Sequence, residues 1–227
     1  MISMGKSMGS KPRVDVFVNV HKGLRRGLLD LAVQMGQVNW DNGFEVGLLT
    51  TEFENLVRFL QEHGANEDEI QFPMLEARVP GATDRDKDDH RKLEKELKQL
   101  KKSWTRLLKQ RDRSKAGYQF YLAYNRFLSD YLAHMDREEN EMTEAFYAHF
   151  ADPELDSGFQ KIMARTPTKD VVMMMGYMIP AMNGDERYAF LSKLEMTASS
   201  EVFKKAKGLA QKVLSPEDWK KLSTRLG

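Results

Sequence analysis

Apolar residues return every three or four positions along four long stretches of this chain, and that period belongs to helices. The first stripe reads Phe17, His21, Leu24, Leu28, Leu31, Met35. The second reads Phe53, Leu56, Leu60, His63, Glu67, Ile70, Met74, and the third His90, Leu93, Leu97, Leu100, Trp104, Leu107. The fourth reads Phe120, Tyr124, Phe127, Tyr131, His134, Glu138. Strand-type alternation is scarce. The runs "NWDNG" (Asn39 to Gly43), "VPGATDRDKDD" (Val79 to Asp89) and "RDRSKAG" (Arg111 to Gly117) separate the stripes, and Pro73 is expected to end or kink the second helix. Helices with one apolar stripe each must bury those stripes against one another. The expected fold is therefore all-α: an up-down-up-down four-helix bundle over residues 14–150, with additional C-terminal helices.

After "FADPELDSG" (Phe150 to Gly158) the pattern shortens. Helical pieces are expected at 159–164, 169–178, 186–196, 201–214 and 216–225, forming an extension over 151–227 that packs on the bundle. "SPEDW" at Ser215 is a helix start, with serine as cap and proline in the first turn. Residues 1–13 are expected to be a flexible N-terminus. The densest methionine run, "VVMMMGYMIPAM" (Val171 to Met182), is expected to serve as core or as a subunit contact in a homodimer.

The net charge is +1, so bulk electrostatics favour neither nucleic acid nor a membrane surface, and neither is expected as a partner. The basic run from Arg91 to Lys115 reads as the solvated face of the third helix. There is no cysteine, which excludes disulfides, thiolate metal sites and cysteine nucleophiles. No apolar run reaches the ~20 residues that span a bilayer. "MISMGKSMGS" lacks the apolar stretch of a secretory leader, so the expected compartment is the cytoplasm.

Of the five histidines, four stand on the four interior stripes, one per helix. His21 and His90 lie near the beginnings of their helices, and His63 and His134 toward the ends of theirs. In an up-down-up-down bundle these positions share one level. Glu67 and Glu138 follow His63 and His134 by four residues, about 6 Å of rise on the same helix face. Buried imidazoles and carboxylates without partners are costly, and a metal removes that cost. Four imidazoles and two carboxylates exceed one tetrahedral zinc. They suit two ions bridged by carboxylates, with iron favoured by the mixed nitrogen and oxygen donors, and zinc or manganese as the lesser candidates.

The runs "VHKGLRRGLLDL", "HGANEDEIQFPMLEARVPG", "DDHRKLEKEL" and "LAHMDREENEM" resemble, in order, the four helix signatures of hemerythrin-like, or HHE, cation-binding domains. The resemblance covers roughly residues 14 to 150, and the tail is similar to the C-terminal extension of some bacterial members. It implies a carboxylate-bridged di-iron centre with His21, His63, Glu67, His90, His134 and Glu138 as ligands, Glu67 and Glu138 bridging. It further implies a protein that binds or senses oxygen or a related small oxidant (O2, NO or peroxide) in stress response, rather than a classical enzyme. No catalytic residue is assigned. The alternatives are iron-centre repair, peroxide or nitric oxide detoxification, and a helical interaction module with a structural metal site.

Two departures set the chain apart from the oxygen-carrying members. Those have His-x-x-x-His on the third helix, where this chain has His90 and Glu94. They also have an aspartate five residues after the fourth-helix histidine, where this chain has Glu139. The ligand set is closer to the symmetric HHE variants, such as the domain of the iron-sensing ubiquitin ligase subunit. Glu94, Glu62 and Glu139 are candidates for an extra oxygen donor or a supporting contact. Tyr131 is a candidate hydrogen-bond donor toward the centre; its other reading is an amphipathic core tyrosine.

Overall fold

Short polar side chains set the helix starts. Asp15 accepts the Val18 and Asn19 N–H groups at 2.8 and 2.9 Å and starts α1 (Val18–Gln37). Asn42 does the same for α2 (Gly43–Asn66). The computed structural model describes residues 13–227, and among them there is no strand. The remaining bundle helices are α3 (Phe72–Glu76), α4 (Asp84–Leu108), α5 (Ser114–Arg137) and α6 (Thr143–His149). Four rods result, because α2 runs into α3, and α5 into α6, through one wide π turn each, at Glu67–Gln71 and Glu138–Met142.

The π turns change the reading of the second stripe. Phe72 N–H reaches back five residues to the Glu67 carbonyl, so one extra residue is wound in. The buried positions after Glu67 are consequently Gln71, Phe72 and Leu75, while Ile70 and Met74 are only partly buried. Pro73 does not stop the rod. It sits in the first turn of α3, directly after the π turn, and the helix continues to Glu76. The charged run Asp84 to Asp89 is not a loop either. It forms the first turns of α4, where Asp84 and Asp86 suit the positive end of the helix dipole.

The bundle core is leucine-rich in its middle and aromatic at one end. Trp40, Phe53, Trp104 and Phe120 pack there with ring centroids 4.9 to 6.0 Å apart. Gly117 makes this packing feasible, since a Cβ at that position would stand 2.2 Å from the Trp40 ring. At the other end a smaller core of Phe17, Phe72, Leu75, Met142 and Phe146 closes the bundle.

The extension comprises α7 (Asp152–Arg165), α8 (Thr168–Ala181), α9 (Gly184–Thr197), α10 (Ser200–Val213) and α11 (Pro216–Leu226). The methionine run forms α8, which lies along α1 in a groove left by Gly23 and Gly27. A Cβ on Gly23 would come within 3.0 Å of the Met178 Cα. One face of α8 sends Met174 and Met178 into the bundle core, which also takes in Met182 just past its end. The other face sends Val171, Met175 and Ile179 into a second core with Leu191, Leu194 and Ala206. The densest methionine segment thus serves as core, between the bundle and this chain's own C-terminal helices. Buried Asp170 takes a hydrogen bond from Arg58 of α2 at 3.0 Å, and Lys22 of α1 meets Glu186 at 2.5 Å.

The expected flexible N-terminus falls outside the described residues except for Arg13. That side chain is held: it donates to Asp152 at 2.8 Å and to the Tyr147 and Phe150 carbonyls at 2.7 and 2.6 Å. No helix among the described residues is long and apolar enough to cross a membrane.

Candidate metal centre

Antiparallel order brings the beginnings of α1 and α4 level with the ends of α2 and α5. His21, His63, His90 and His134 meet there around Glu67 and Glu138. Glu67 Oε1 lies 3.2 Å from His63 Nε2 and 4.0 Å from His21 Nε2, while Oε2 lies 3.5 Å from His90 Nε2. Glu138 mirrors it. Its Oε2 lies 3.4 Å from His21 Nε2, and its Oε1 lies 3.2 Å from His134 Nε2 and 3.6 Å from His90 Nε2. Each carboxylate therefore offers one oxygen to the His21/His63 pair and the other to the His90/His134 pair. The donor atoms form two groups, each with all atoms within 4.8 Å of one another, and both carboxylates belong to both groups.

The cage is dry. His21, Glu67 and Glu138 are fully buried, and only the His90 side chain keeps as much as 11% of its surface. All four carboxylate oxygens are buried without a hydrogen-bond donor. Native interiors rarely leave such atoms unsatisfied. The nitrogens around them are imidazole nitrogens turned inward, and His21 Nε2 stands only 3.2 Å from His63 Nε2. Imidazole nitrogens and carboxylate oxygens gathered this closely suit cations held between them. The donor set fits two ions, each with two imidazoles and two carboxylate oxygens, and leaves coordination positions open on an octahedral metal.

The outer ring nitrogens are held by acids. Glu139 Oε1 lies 3.1 Å from His21 Nδ1, and Asp68 Oδ1 lies 2.9 Å from His90 Nδ1. Each of these acids directly follows a glutamate common to both donor groups: Glu67-Asp68 and Glu138-Glu139. One dipeptide thus supplies a shared carboxylate and a clamp, and the clamp reaches a histidine on another rod. Such contacts fix the tautomer and aim Nε2 inward. Arg25 anchors Glu139 with bonds of 2.5 and 3.0 Å. His134 Nδ1 is buried without a partner, and Asp86 and Asp89 are gathered beside His134. Rings also fix the imidazoles: Phe17 stacks on His21 at 5.5 Å, and Phe72 lies against His90 at 5.0 Å.

The two shared acids, Glu67 and Glu138, titrate in opposite directions. Burial, then the charge of Glu138, pushes Glu67 well above the usual carboxylate range. Burial also acts to raise Glu138, but contacts from His134 and His90 outweigh it and hold that carboxyl low. Burial lowers His63, with His21 adding to the effect. His90 is raised to about 10, because Asp68 and Glu138 overcome its burial. Glu139 is held at about 2 by His21 and Arg25, again against burial.

Not every candidate reaches the cage. Glu94 shares the His90 face in sequence, but its carboxylate extends outward to Lys98 at 2.6 Å. Glu62 turns away to Arg165 of α7 at 3.1 Å. Neither supplies an oxygen to the cage, because each is drawn off by a cation on the outside. Glu139 takes the clamping position just described. Tyr131 is buried with its ring edge-on to His134 at 5.7 Å, and burial together with Glu67 and Glu138 raises its phenol well above its ordinary value. Sequence reading did not single out Asp68, Arg25, Phe17 as a ring over His21, or the π turns. Adjacent helical residues point ~100° apart, so nothing in the spacing marks Asp68 as a partner of the centre; only its repetition as Glu139 hints at it.

The family model described as Hemerythrin HHE cation binding domain matches residues 13–146. No curated protein and no solved structure matches the chain.

Proposed function

The chain belongs to the hemerythrin HHE cation-binding domain family, and on that premise we propose that it is a non-haem di-iron protein that binds or senses oxygen or a related small oxidant in a stress response. The observation that carries the di-metal reading is the double sharing of carboxylates. Glu67 and Glu138 each offer one oxygen to the His21/His63 group and one to the His90/His134 group. A pair of ferrous ions, when bound, supplies two electrons to an oxidant. The chain's own part is to hold the donors in place. Glu139 and Asp68 keep His21 and His90 turned inward. Glu67, biased toward its protonated form, is the group whose proton must leave when cations enter. Tyr131 is the nearest phenol, placed beside His134.

The test is an anaerobic Fe(II) titration with metal analysis, followed by air. Two irons per chain are expected in the native protein, with stoichiometric uptake lost in His63→Ala and Glu67→Ala. Full occupancy in both variants would sink the assignment, and preferential uptake of zinc or manganese would change the metal. A spectrum that responds to oxygen and reverses on deoxygenation supports reversible binding. An irreversible change supports sensing or defence. A spectrum unchanged by oxygen rejects the oxidant reading and leaves a structural metal.

A further inference from the structure

The outer face of α4 carries charge of one sign. Residues 91–115 hold 11 lysines and arginines against 3 acids, while the whole chain has a net charge of +1. From Lys98 to Arg111 six cations follow one another with no acid between them. Lys95, Lys98, Lys102, Arg106 and Lys109 recur at three and four, so they form one row opposite the buried Leu93, Leu97, Leu100 and Trp104. All five are exposed, and the row runs about 21 Å at ~1.5 Å per residue. Lys98 is paired with Glu94 at 2.6 Å, whereas the other four have no acidic partner among the described residues. On α1, by contrast, each of the cations Lys22, Arg25 and Arg26 meets an acid. Like charges one turn apart, such as Lys98 with Lys102 and Lys102 with Arg106, weaken a helix. The negative end of the helix dipole offsets this only in the last turn, where Arg106 stands. A face that served solubility alone would mix both signs and avoid that cost.

We propose that this row is a docking surface for the sugar-phosphate backbone of a nucleic acid duplex, held without reading its sequence. The overall charge of +1 hides the row, because the remainder of the chain is acidic. Duplex DNA presents about one negative charge per 1.7 Å of its axis, so phosphates outnumber the cations along the row. Four of the five cations are lysines, mobile point charges that meet phosphates in any register, unlike the flat fork of arginine. The one aromatic residue of α4, Trp104, is buried, so no ring stands ready to stack on a base, which favours a duplex over a single strand. The apolar face of α4 lies in the bundle core, so none is left to enter a lipid layer. A folded protein partner carries both signs on its surface, and its cations would face the row. The inference stands apart from the metal reading, since the row lies on the face of α4 opposite the core.

The test uses the whole chain and two duplexes of unrelated sequence, each about 20 base pairs, read by fluorescence anisotropy between about 50 and 200 mM salt. Both duplexes are expected to bind within about threefold of each other, because the contacts go to phosphate. Affinity is expected to fall with salt at a logarithmic slope of about 4 to 5, the value for about five phosphate contacts at about 0.9 each. Lys95→Gln/Lys102→Gln/Lys109→Gln should lose about 10-fold or more at the lowest salt and lower the slope by about 2.7. Lys204→Gln/Lys212→Gln/Lys220→Gln removes the same charge from exposed positions of α10 and α11 and should stay within about threefold of native. Circular dichroism checks that both variants keep the fold. No duplex binding at the lowest salt, an equal loss in both triple variants, or a slope unchanged in the α4 variant overturns the proposal. So does tighter binding to a single strand, to phosphatidylserine vesicles or to polyglutamate than to the duplex.

Discussion

Glu67→Met separates the cost of the cage from its use. Methionine is close to glutamate in length and volume, so the buried site stays filled while two buried, unpartnered oxygens are removed. A buried polar group without a partner costs about 1–3 kcal/mol. Because burial already drives Glu67 toward its neutral form, the lower cost of a neutral group applies rather than that of a buried charge. With about 2–4 °C per kcal/mol for a chain of this size, the metal-free variant is expected to melt about 2–12 °C above the native protein. With metal the order reverses. A ligand at a thousand times its dissociation constant stabilises the native state by about 4 kcal/mol, and the variant has lost a donor common to both ions. The assay is thermal unfolding in chelator and in excess anaerobic Fe(II). A metal-free variant that melts at or below the native protein refutes the view that the carboxylate is a liability. A variant that keeps the full metal-induced rise refutes its role as a shared ligand.

Four further outcomes are expected. Glu139→Gln frees the His21 ring and should weaken metal uptake about 10- to 100-fold with the fold intact, read by competition with a chelator and by circular dichroism. The same acid is held at about 2 in the fold, below the ordinary 4.5. Its stabilising contribution is complete above pH 4.5 and is lost as pH falls toward 2, so Glu139→Gln should flatten the acid limb of the stability curve. Arg165 of α7 donates to Glu69 at 2.7 and 2.9 Å and to Asn66 at 3.2 Å, on and beside the first π turn. Arg165→Ala should speed amide exchange over Glu67–Gln71 more than over Glu138–Met142. Gly117→Ala drives a methyl into the Trp40 ring and should cost about 1–3 kcal/mol, with a shift in tryptophan fluorescence.

The parts of the fold legible in the sequence are those governed by period. Leu24, Leu28 and Leu31, or Leu93, Leu97 and Leu100, announce their helices and their buried faces, because burial repeats every three to four residues. His21, His63, His90 and His134 were legible as interior groups for the same reason. The resemblance of their surroundings to HHE signatures anticipated the family that the chain proves to belong to. What period cannot carry is a change of period. The π turn after Glu67 moves burial from Ile70 and Met74 to Gln71, Phe72 and Leu75, and a fixed 3.6-residue template misses it. Contacts between rods were equally hidden. Glu94 and Glu62 have the right spacing but are drawn outward by Lys98 and Arg165, and Asp68 has no telling spacing yet holds His90.

The two π turns explain why the bundle can hold a cage at all. A regular helix that aims Glu67 at its own His63 would send its next apolar residues along the same face, toward the metal level's own axis. Winding in one extra residue after the glutamate turns the chain, so that Phe72 and Leu75 meet Phe17 and Phe146 in a separate core that seals the end of the cage. The second rod repeats the device with Glu138, Met142 and Phe146, and Thr143 adds its hydroxyl to the Glu138 carbonyl at 3.2 Å. The repetition is not complete. The first π turn is tied from outside by Arg165 of the extension, and the second by Arg25 of the bundle itself through Glu139. One half of the cage is therefore braced by the C-terminal helices and the other by α1. Any movement of α7 would be felt first at Glu67, a carboxylate common to both donor groups.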